Sequence, residues 1–383
     1  MAAEIKKIKL ETLSPVHIGS GEIFQKGFDY IVTAGRNEEG VTKSKIYFID
    51  IEGIGKLINN DRNVTINDWI TAINEKNQNF LNRFGTQAYS KKIDVEDIKV
   101  RNQIVGCMLD SNGTPYIPGS SIKGAIRTVI FSDLAIKDKN LIESINKASD
   151  YSKIKDLLND WYKKIFGEPE NDFLKNLLIG DVYFPKNSDV ETIINQIRFK
   201  KKTMEGSLTQ TLQVINIGAD STFRIINKGK YLDPNKSNQN EGMKYYNDFL
   251  NLLNQKGLSY LFNLINETTL RLIDSLIDSI PEQNPVFEKS VENSKDFLNC
   301  LNILKEDTKA CKIKGDKCIL RIGQGSGWEF ITGGWEKKLS PKALQIILNK
   351  NYNKNPQASD FPVTFWADDF IEPLGFCKLS MID

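Results

Sequence analysis

The run Tyr116-Ile117-Pro118-Gly119-Ser120-Ser121-Ile122-Lys123-Gly124-Ala125-Ile126-Arg127 constrains this chain more than any other, because it dictates where a helix begins. Pro118 cannot extend a preceding helix, Gly119 frees the turn, and Ser120 or Ser121 is placed to cap the N–H groups that open the next one. From about Ser120 to Ile136 the residues Ile122, Ala125, Ile126, Val129 and Ile130 recur at helical spacing as one apolar stripe. Lys123 and Arg127 sit four apart on another face. Free N–H groups, the positive end of the helix dipole and two cations in the first turns favour an anion, and a polyanion above all. The plainer alternative is an ordinary amphipathic helix with solvated basic residues.

Length and charge narrow what could use such a helix. The 383 residues allow two domains with real cores, at about 100 to 200 residues each. Hydrophobic residues at 40% and charged residues at 26% are those of a globular protein. No apolar run reaches the length of a membrane span, and Met1-Ala2-Ala3-Glu4-Ile5-Lys6-Lys7 lacks the apolar core of a signal peptide, so a cytoplasmic protein with no membrane partner is expected. The five cysteines, Cys107, Cys300, Cys311, Cys318 and Cys377, are odd in number and contain no C-x-x-C pair, which argues against disulfides and a cysteine zinc site. With 51 basic and 49 acidic residues the net charge is +2, so any nucleic-acid surface must be local. His17 is the only histidine. A multi-histidine metal centre is excluded, and any histidine-based catalysis would have to use His17 itself.

Along the chain, Ile5 to Leu13 alternate as an opening strand, followed by a glycine turn at Gly19-Ser20-Gly21. Phe28–Thr33 and Lys45–Asp50 read as a hairpin around Ala34–Gly40, Ile51–Asn59 and Asp68–Phe84 as helices, and Ile93–Val105 as extended. Helix follows between Asp138 and Phe166, and Gly180–Pro185 is a short strand. Strands return at Arg198–Lys202, Thr211–Ile217 and Thr222–Ile226. A mainly helical block spans Met243–Ile280 and stops at Pro281. The chain closes with a strand at Cys318–Ile322, the segment Gly323-Gln324-Gly325-Ser326-Gly327-Trp328 and a last strand at Leu374–Leu379, with Asn349–Gln357 as a surface loop. Strands enclosing helices, twice, give an α+β fold with two similar halves, 1–195 and 196–383.

None of the glycine-rich elements completes a nucleotide motif. Gly323-x-Gly325 would need glycine where Trp328 stands, and the spacing of Gly119 and Gly124 would need lysine where Ala125 stands. A looser role remains, in which glycine turns let a backbone approach a phosphate or ribose, flanked by the Arg321 cation and the Trp328 ring. A plain tight turn and a core tryptophan are the alternatives. The Lys200-Lys201-Lys202 run is either a solvated face or a phosphate contact. His17 is either a structural residue, a hydrogen-bonding contact, or the general base of a metal-independent endoribonuclease.

Taken together, Leu13-Ser14-Pro15-Val16-His17-Ile18-Gly19-Ser20-Gly21, the Ile117–Arg127 helix start, Arg321-Ile322-Gly323-Gln324-Gly325-Ser326-Gly327 and Pro373-Leu374-Gly375-Phe376 resemble the RAMP superfamily of CRISPR proteins. Their order and spacing are similar to the branch found at the crRNA 3′ end of the type III-A (Csm) effector. The resemblance implies two ferredoxin-like (RRM-like, RAMP) domains with helical insertions and non-catalytic RNA binding without sequence readout. It also implies a place capping the filament of backbone subunits and a part in crRNA 3′ maturation and antiviral defence. The partners it implies are crRNA and the adjacent backbone and small subunits, with target RNA and a host ribonuclease as further candidates. No cofactor or metal is expected. The RNA-facing residues expected are His17, Gly19, Ser20, Gly21, Ser120, Ser121, Lys123, Arg127, Lys200, Lys201, Arg321, Gly323, Gln324, Gly325, Ser326, Gly327 and Trp328. RNP-type aromatic pairs on the sheet are not evident in the sequence.

Overall fold

The computed structural model describes residues 3–36, 42–60, 64–74, 84–96, 98–168, 172–185, 190–201, 203–228, 244–280, 288–351, 357–358, 361–362 and 364–382. Lys202 and parts of the expected hairpin turn, of the 68–84 helix and of the 349–357 loop lie outside them.

Strand β1 (Glu4–Thr12) organises the fold. Ile8 and Leu10 are fully buried while Lys7 is exposed, the alternation of a strand with one covered face. It pairs antiparallel with β12 (Asp220–Asn227) on one side and with β15 (Phe376–Ile382) on the other. Adding β8 (Leu177–Ile179) beside β12 and β13 (Lys317–Arg321) beside β15 completes a five-stranded antiparallel sheet in the order β13-β15-β1-β12-β8. The second sheet runs β14 (Thr364–Ala367), β10 (Glu191–Lys200), β11 (Gly206–Ile215), β6 (Gln103–Cys107), β2 (Gly19–Gln25). Only the β11–β6 pair in it is parallel. Two smaller sheets join β3 (Tyr30–Arg36), β4 (Thr42–Ile49) and β5 (Tyr89–Glu96), and β7 (Tyr116–Ile117) with β9 (Val182–Tyr183).

The helices are α1 (Ile51–Asn60), α2 (Ile66–Asn74), α3 (Gly119–Lys137), α4 (Lys139–Lys147), α5 (Tyr151–Phe166), α6 (Lys244–Asp278), α7 (Glu288–Lys314), α8 (Gly327–Thr332) and α9 (Pro341–Asn351). The expected stripe of α3 is its core face: Ile122, Ile126, Val129 and Ile130 are buried with Ile8 and Leu10 and with Phe262 and Ile265 of α6. A second core packs Phe297, Leu301 and Leu304 of α7 against Phe199 and Phe365 of the second sheet. Helix α6 breaks at Gly257 (φ 57°, ψ −139°), where the Glu4 carboxylate accepts the Leu258 N–H at 3.2 Å and restarts the helix.

Four expectations change. Helix α3 begins at Gly119 with Pro118 as its cap residue, so Ser120 and Ser121 lie inside its first turn and neither caps it. Gly19 to Gly21 open a strand rather than a turn. Helix α7 had no counterpart in the sequence reading. A boundary at 195/196 falls inside β10, and both large sheets draw strands from either side of it.

Candidate nucleic-acid interface

Three stretches pass between the two large sheets: Leu13–Ile18 from β1 to β2, Asn216–Ala219 from β11 to β12, and Asp368–Gly375 from β14 to β15. They lie side by side. Val16 and Ile215 exchange backbone hydrogen bonds at 2.9 and 2.8 Å, and the Gly375 N–H donates to the Pro15 carbonyl at 2.9 Å. The glycine segment after β13 docks on this bundle, with Gln324 N–H donating to the His17 carbonyl at 2.9 Å. A Cβ at Gly323 would stand 2.4 Å from that carbonyl oxygen, and φ is +82° there. The close backbone approach that these glycines permit is therefore made to the protein's own chain.

His17 is fully buried. Its Nδ1 donates to the Gln213 carbonyl at 2.7 Å, because a carbonyl can only accept, which leaves Nε2 unprotonated and without a partner. Burial holds its pKa below the ordinary 6.5, so the ring is neutral at pH 7. Arg321 is also withdrawn from RNA contact. Its Nε donates to the Leu374 carbonyl at 2.8 Å and its Nη2 to that of Gly325 at 3.1 Å, with the guanidinium 4.6 and 4.7 Å from the Phe330 and Phe376 ring centres. Burial pushes its pKa down to about 9. Lys201, expected at a phosphate, is buried 3.7 Å from the Glu329 carboxylate, which Lys337 also reaches at 2.6 Å. Desolvation lowers Lys201 to about 8. Ser326 is buried and donates to the Gly323 carbonyl at 2.7 Å. Trp328 stands edge-on to Phe361 at 4.5 Å, half-buried, beside half-exposed Gly325 and Gly327.

The bundle also contains a pH-sensitive joint. The Asp368 carboxylate accepts N–H groups of Phe370 and Glu372 at 2.9 and 2.8 Å. Burial, and after it the neighbouring Glu372 and Asp369 charges, push its pKa up to about 7 from the ordinary 3.8. A raised folded-state pKa contributes stability below about pH 4 that is lost as pH rises through 7. Asp368→Asn keeps the accepting oxygen and removes the charge, so it should raise the unfolding free energy measured in urea at pH 8 by on the order of 4 kcal/mol and leave it nearly unchanged at pH 4.

The helix-start residues sit elsewhere, against the β8–β9 turn. Gly119 N–H donates to the Asp181 carboxylate at 2.7 Å, so the positive end of α3 is answered from within the chain. Arg127 is ion-paired with Asp172, accepted by the Tyr162 hydroxyl at 2.6 Å and stacked 4.9 Å from the Phe166 ring centre. Lys123 is half-buried and its pKa is lowered by desolvation. Ser120 is exposed and Ser121 half-exposed. The two cations that the helical spacing sets on a face of their own are thus partly packed into the chain rather than solvated. Arg127→Ala should cost about 2 kcal/mol in chemical denaturation, because Asp172 and the Tyr162 hydroxyl lose their partner.

What the structure gathers around the exposed residues Gly19, Gly21, Gly323 and Gln324 is one face of the second sheet, closed over fully buried Gln196 and over Ile194 and Leu212 by the glycine segment and Leu374, and open beside it at half-exposed Gln210, Arg198 and Trp366. Gln324 Nε2 donates to Gln210 Oε1 at 3.1 Å and to Gln196 Oε1 at 3.3 Å. Register puts Gln196 opposite Gln210 and Arg198 opposite Trp366, and the Arg198 guanidinium stands 5.9 Å from the Trp366 ring centre. Leu208 and Ile23 are exposed, as are Gln25 and Gln103, joined at 3.4 Å across β2 and β6. Half-buried Ser20 hydrogen-bonds the Gly106 carbonyl at 3.2 Å, and exposed Lys200 at the end of β10 pairs with Glu205 at 3.1 Å. Amides, one guanidinium and one indole on a flat face suit the edges, phosphates and rings of an unpaired strand. The sequence reading missed Arg198, Trp366, Gln196 and Gln210. Their only signal was the x-Gln-x-Arg-x alternation of β10, which has no meaning until β14 and β11 are known to flank it.

A mixed α+β chain with a partly open, amide-rich sheet face is the class of protein this geometry defines. Residues 9–280 match the RAMP superfamily, and the chain belongs to it. It is 25% identical over 98% of its length, and 89% of the relative's, to a protein of Methanocaldococcus jannaschii described as CRISPR system Cms protein Csm5. A protein of the same description from Enterococcus italicus is 27% identical over 40% of this chain and 53% of its own. Among solved structures, a chain of a Csm-crRNA-target RNA ternary complex of a type III-A CRISPR-Cas system superposes with a TM-score of 0.66 at 20% identity, covering 98% of this chain and 100% of that one. T. onnurineus Csm5 superposes with a TM-score of 0.59 at 18% identity, covering 96% and 99%.

Proposed function

We propose that this chain is an RNA-binding structural subunit of a type III-A CRISPR effector, capping the backbone filament at the crRNA 3′ end and supporting 3′ maturation. The observation that carries the reading is full-length similarity to a Csm5 protein, together with a partly open sheet face equipped for an unpaired strand. Its partners are crRNA, target RNA and the neighbouring Csm subunits, and it works in the cytoplasm. The fold is read as two interleaved ferredoxin-like units rather than two consecutive halves. In the first, β1, α3, β8, β12, α6 and β15 follow one another along the chain and lie as β15-β1-β12-β8 in the sheet, a βαββαβ order with β13 added at the edge.

The subunit holds RNA and does not cut it. His17 is neutral, shut from solvent and hydrogen-bonded through Nδ1 to the chain, so a ribose 2′-OH has no route to Nε2. A ribonuclease recruited to the complex trims the exposed end. The test is co-expression with the other subunits of its own locus, purification through this chain and sequencing of the bound RNA. Repeat-spacer RNA with a defined 3′ boundary is expected, with the boundary blurred by Arg198→Gln with Trp366→Ala and unchanged by His17→Asn. Recovery of the chain alone and free of RNA would overturn the reading.

A further inference from the structure

On the first sheet, the side of β1 away from the core presents Ile5, Lys7, Lys9 and Glu11, and register sets them beside Ile226, Arg224, Thr222 and Asp220 of β12. Two of these charges are balanced: Lys9 reaches Asp220 at 3.3 Å, and Glu11 takes Lys378 of β15 at 2.7 Å. The Lys7–Arg224 rung is not. Both side chains are exposed, stand directly opposite each other, and have no ion-pair or hydrogen-bond partner among the described residues. Like charges facing across an antiparallel pair destabilise a sheet. The rung extends to Ile382 on one side and to Gly180, whose N–H donates to the Arg224 carbonyl, on the other, so neither neighbour supplies a carboxylate. Asp307 and Asp316 belong to the opposite edge, near Cys311, Lys317 and Lys378. The next rung is an apolar shelf of Ile5, Ile226 and Leu178, with Ile5 and Leu178 exposed.

In a chain whose whole net charge is +2, a pair of cations unbalanced among the described residues, on a sheet face whose β13 side packs against α7, is a local concentration that an anionic ligand would relieve. We infer that this face is a second track for single-stranded RNA, with Lys7 and Arg224 on the phosphates and the Ile5–Ile226–Leu178 shelf beneath the sugars and bases. Lys7 and Lys9 project about 7 Å apart along β1, a spacing that successive phosphates of an extended strand can follow. The shelf favours RNA over an acidic protein surface, because bases and riboses offer flat apolar area beside each phosphate. The inference rests on the RNA-binding reading above and adds a surface to it.

The test compares the full chain, Lys7→Gln with Arg224→Gln, and Arg198→Gln with Trp366→Ala, by anisotropy of a fluorescein-labelled uridine oligomer of about 20 nucleotides over about 50 to 300 mM KCl. Losing two phosphate contacts should lower the slope of log Kd against log salt by about 1.4 and weaken binding roughly tenfold at low salt. The melting temperature of the Lys7/Arg224 variant should stay level or rise, since a repulsion has been removed. Unchanged affinity and slope in this variant, with weakened binding by the Arg198/Trp366 variant, would overturn the second track alone. A falling melting temperature, or intact RNA binding with lost subunit co-purification, would assign the face to structure or to protein and overturn it too. Failure of the wild-type chain to bind RNA at the lowest salt would remove the RNA-binding reading and the inference with it.

Discussion

Gly119→Ala is expected to destabilise the protein by about 3 kcal/mol, the upper range for a steric insertion into a packed region. A Cβ there would lie 2.1 Å from the Ile179 carbonyl oxygen, 2.8 Å from its carbon and 2.9 Å from the Gly180 oxygen. All three are backbone atoms, so no side chain can swing away. Either the start of α3 retreats, losing the Gly119 N–H bond to Asp181, or the turn retreats and strains the Gly180 N–H bond to Arg224 at 3.0 Å. Gly124, five residues on, is the control. It is exposed, inside the same helix, with nothing within 4 Å of its would-be Cβ. Gly124→Ala should therefore stabilise by about 0.5 to 1 kcal/mol through lower chain entropy in the unfolded state. Opposite shifts of the urea midpoint in the two variants are the expected result, and equal shifts would contradict the packing.

Arg321→Ala should cost about 3 to 4 kcal/mol in thermal or chemical denaturation. The guanidinium satisfies the buried Leu374 carbonyl and the half-buried Gly325 carbonyl, and fills the space between two aromatic rings. Both carbonyls belong to the segments that meet where the sheets join, so their loss would also loosen the 323–327 loop. Arg321→Lys should recover less than half of the loss, because an ammonium cannot span both carbonyls with a planar fork or stack between rings. Full recovery by lysine would mean that charge alone is needed there.

Local punctuation was readable in the sequence; partnership across distance was not. Pro118-Gly119 marks the helix start to within one residue, and the Ile122–Ile130 stripe is its buried face. What Gly119 is for depends on the β8–β9 turn some 60 residues away, which nothing local announces. Helix α7 was legible but unread: Phe297, Leu301, Leu304, Thr308 and Cys311, all buried, repeat at helical spacing. Of the residues expected at the site, Gln324 and the exposed glycines lie on the candidate face. Arg321, Lys201 and His17 were drawn in by their chemistry, although burial directs that chemistry at the chain itself. Trp366 went unnoticed because a lone tryptophan on a four-residue strand has no periodicity, and only the pairing with β10 shows which way it faces.

The position of β1 at the centre of its sheet sets the timing of folding during synthesis. A ribosome delivers β1 well before its neighbours β12 and β15, which lie more than 200 and more than 360 residues downstream of it. Until they emerge, both hydrogen-bonding edges of an alternating apolar strand stay open, and closing such long loops is entropically slow. During synthesis such a strand is exposed to mispairing until both of its neighbours have emerged.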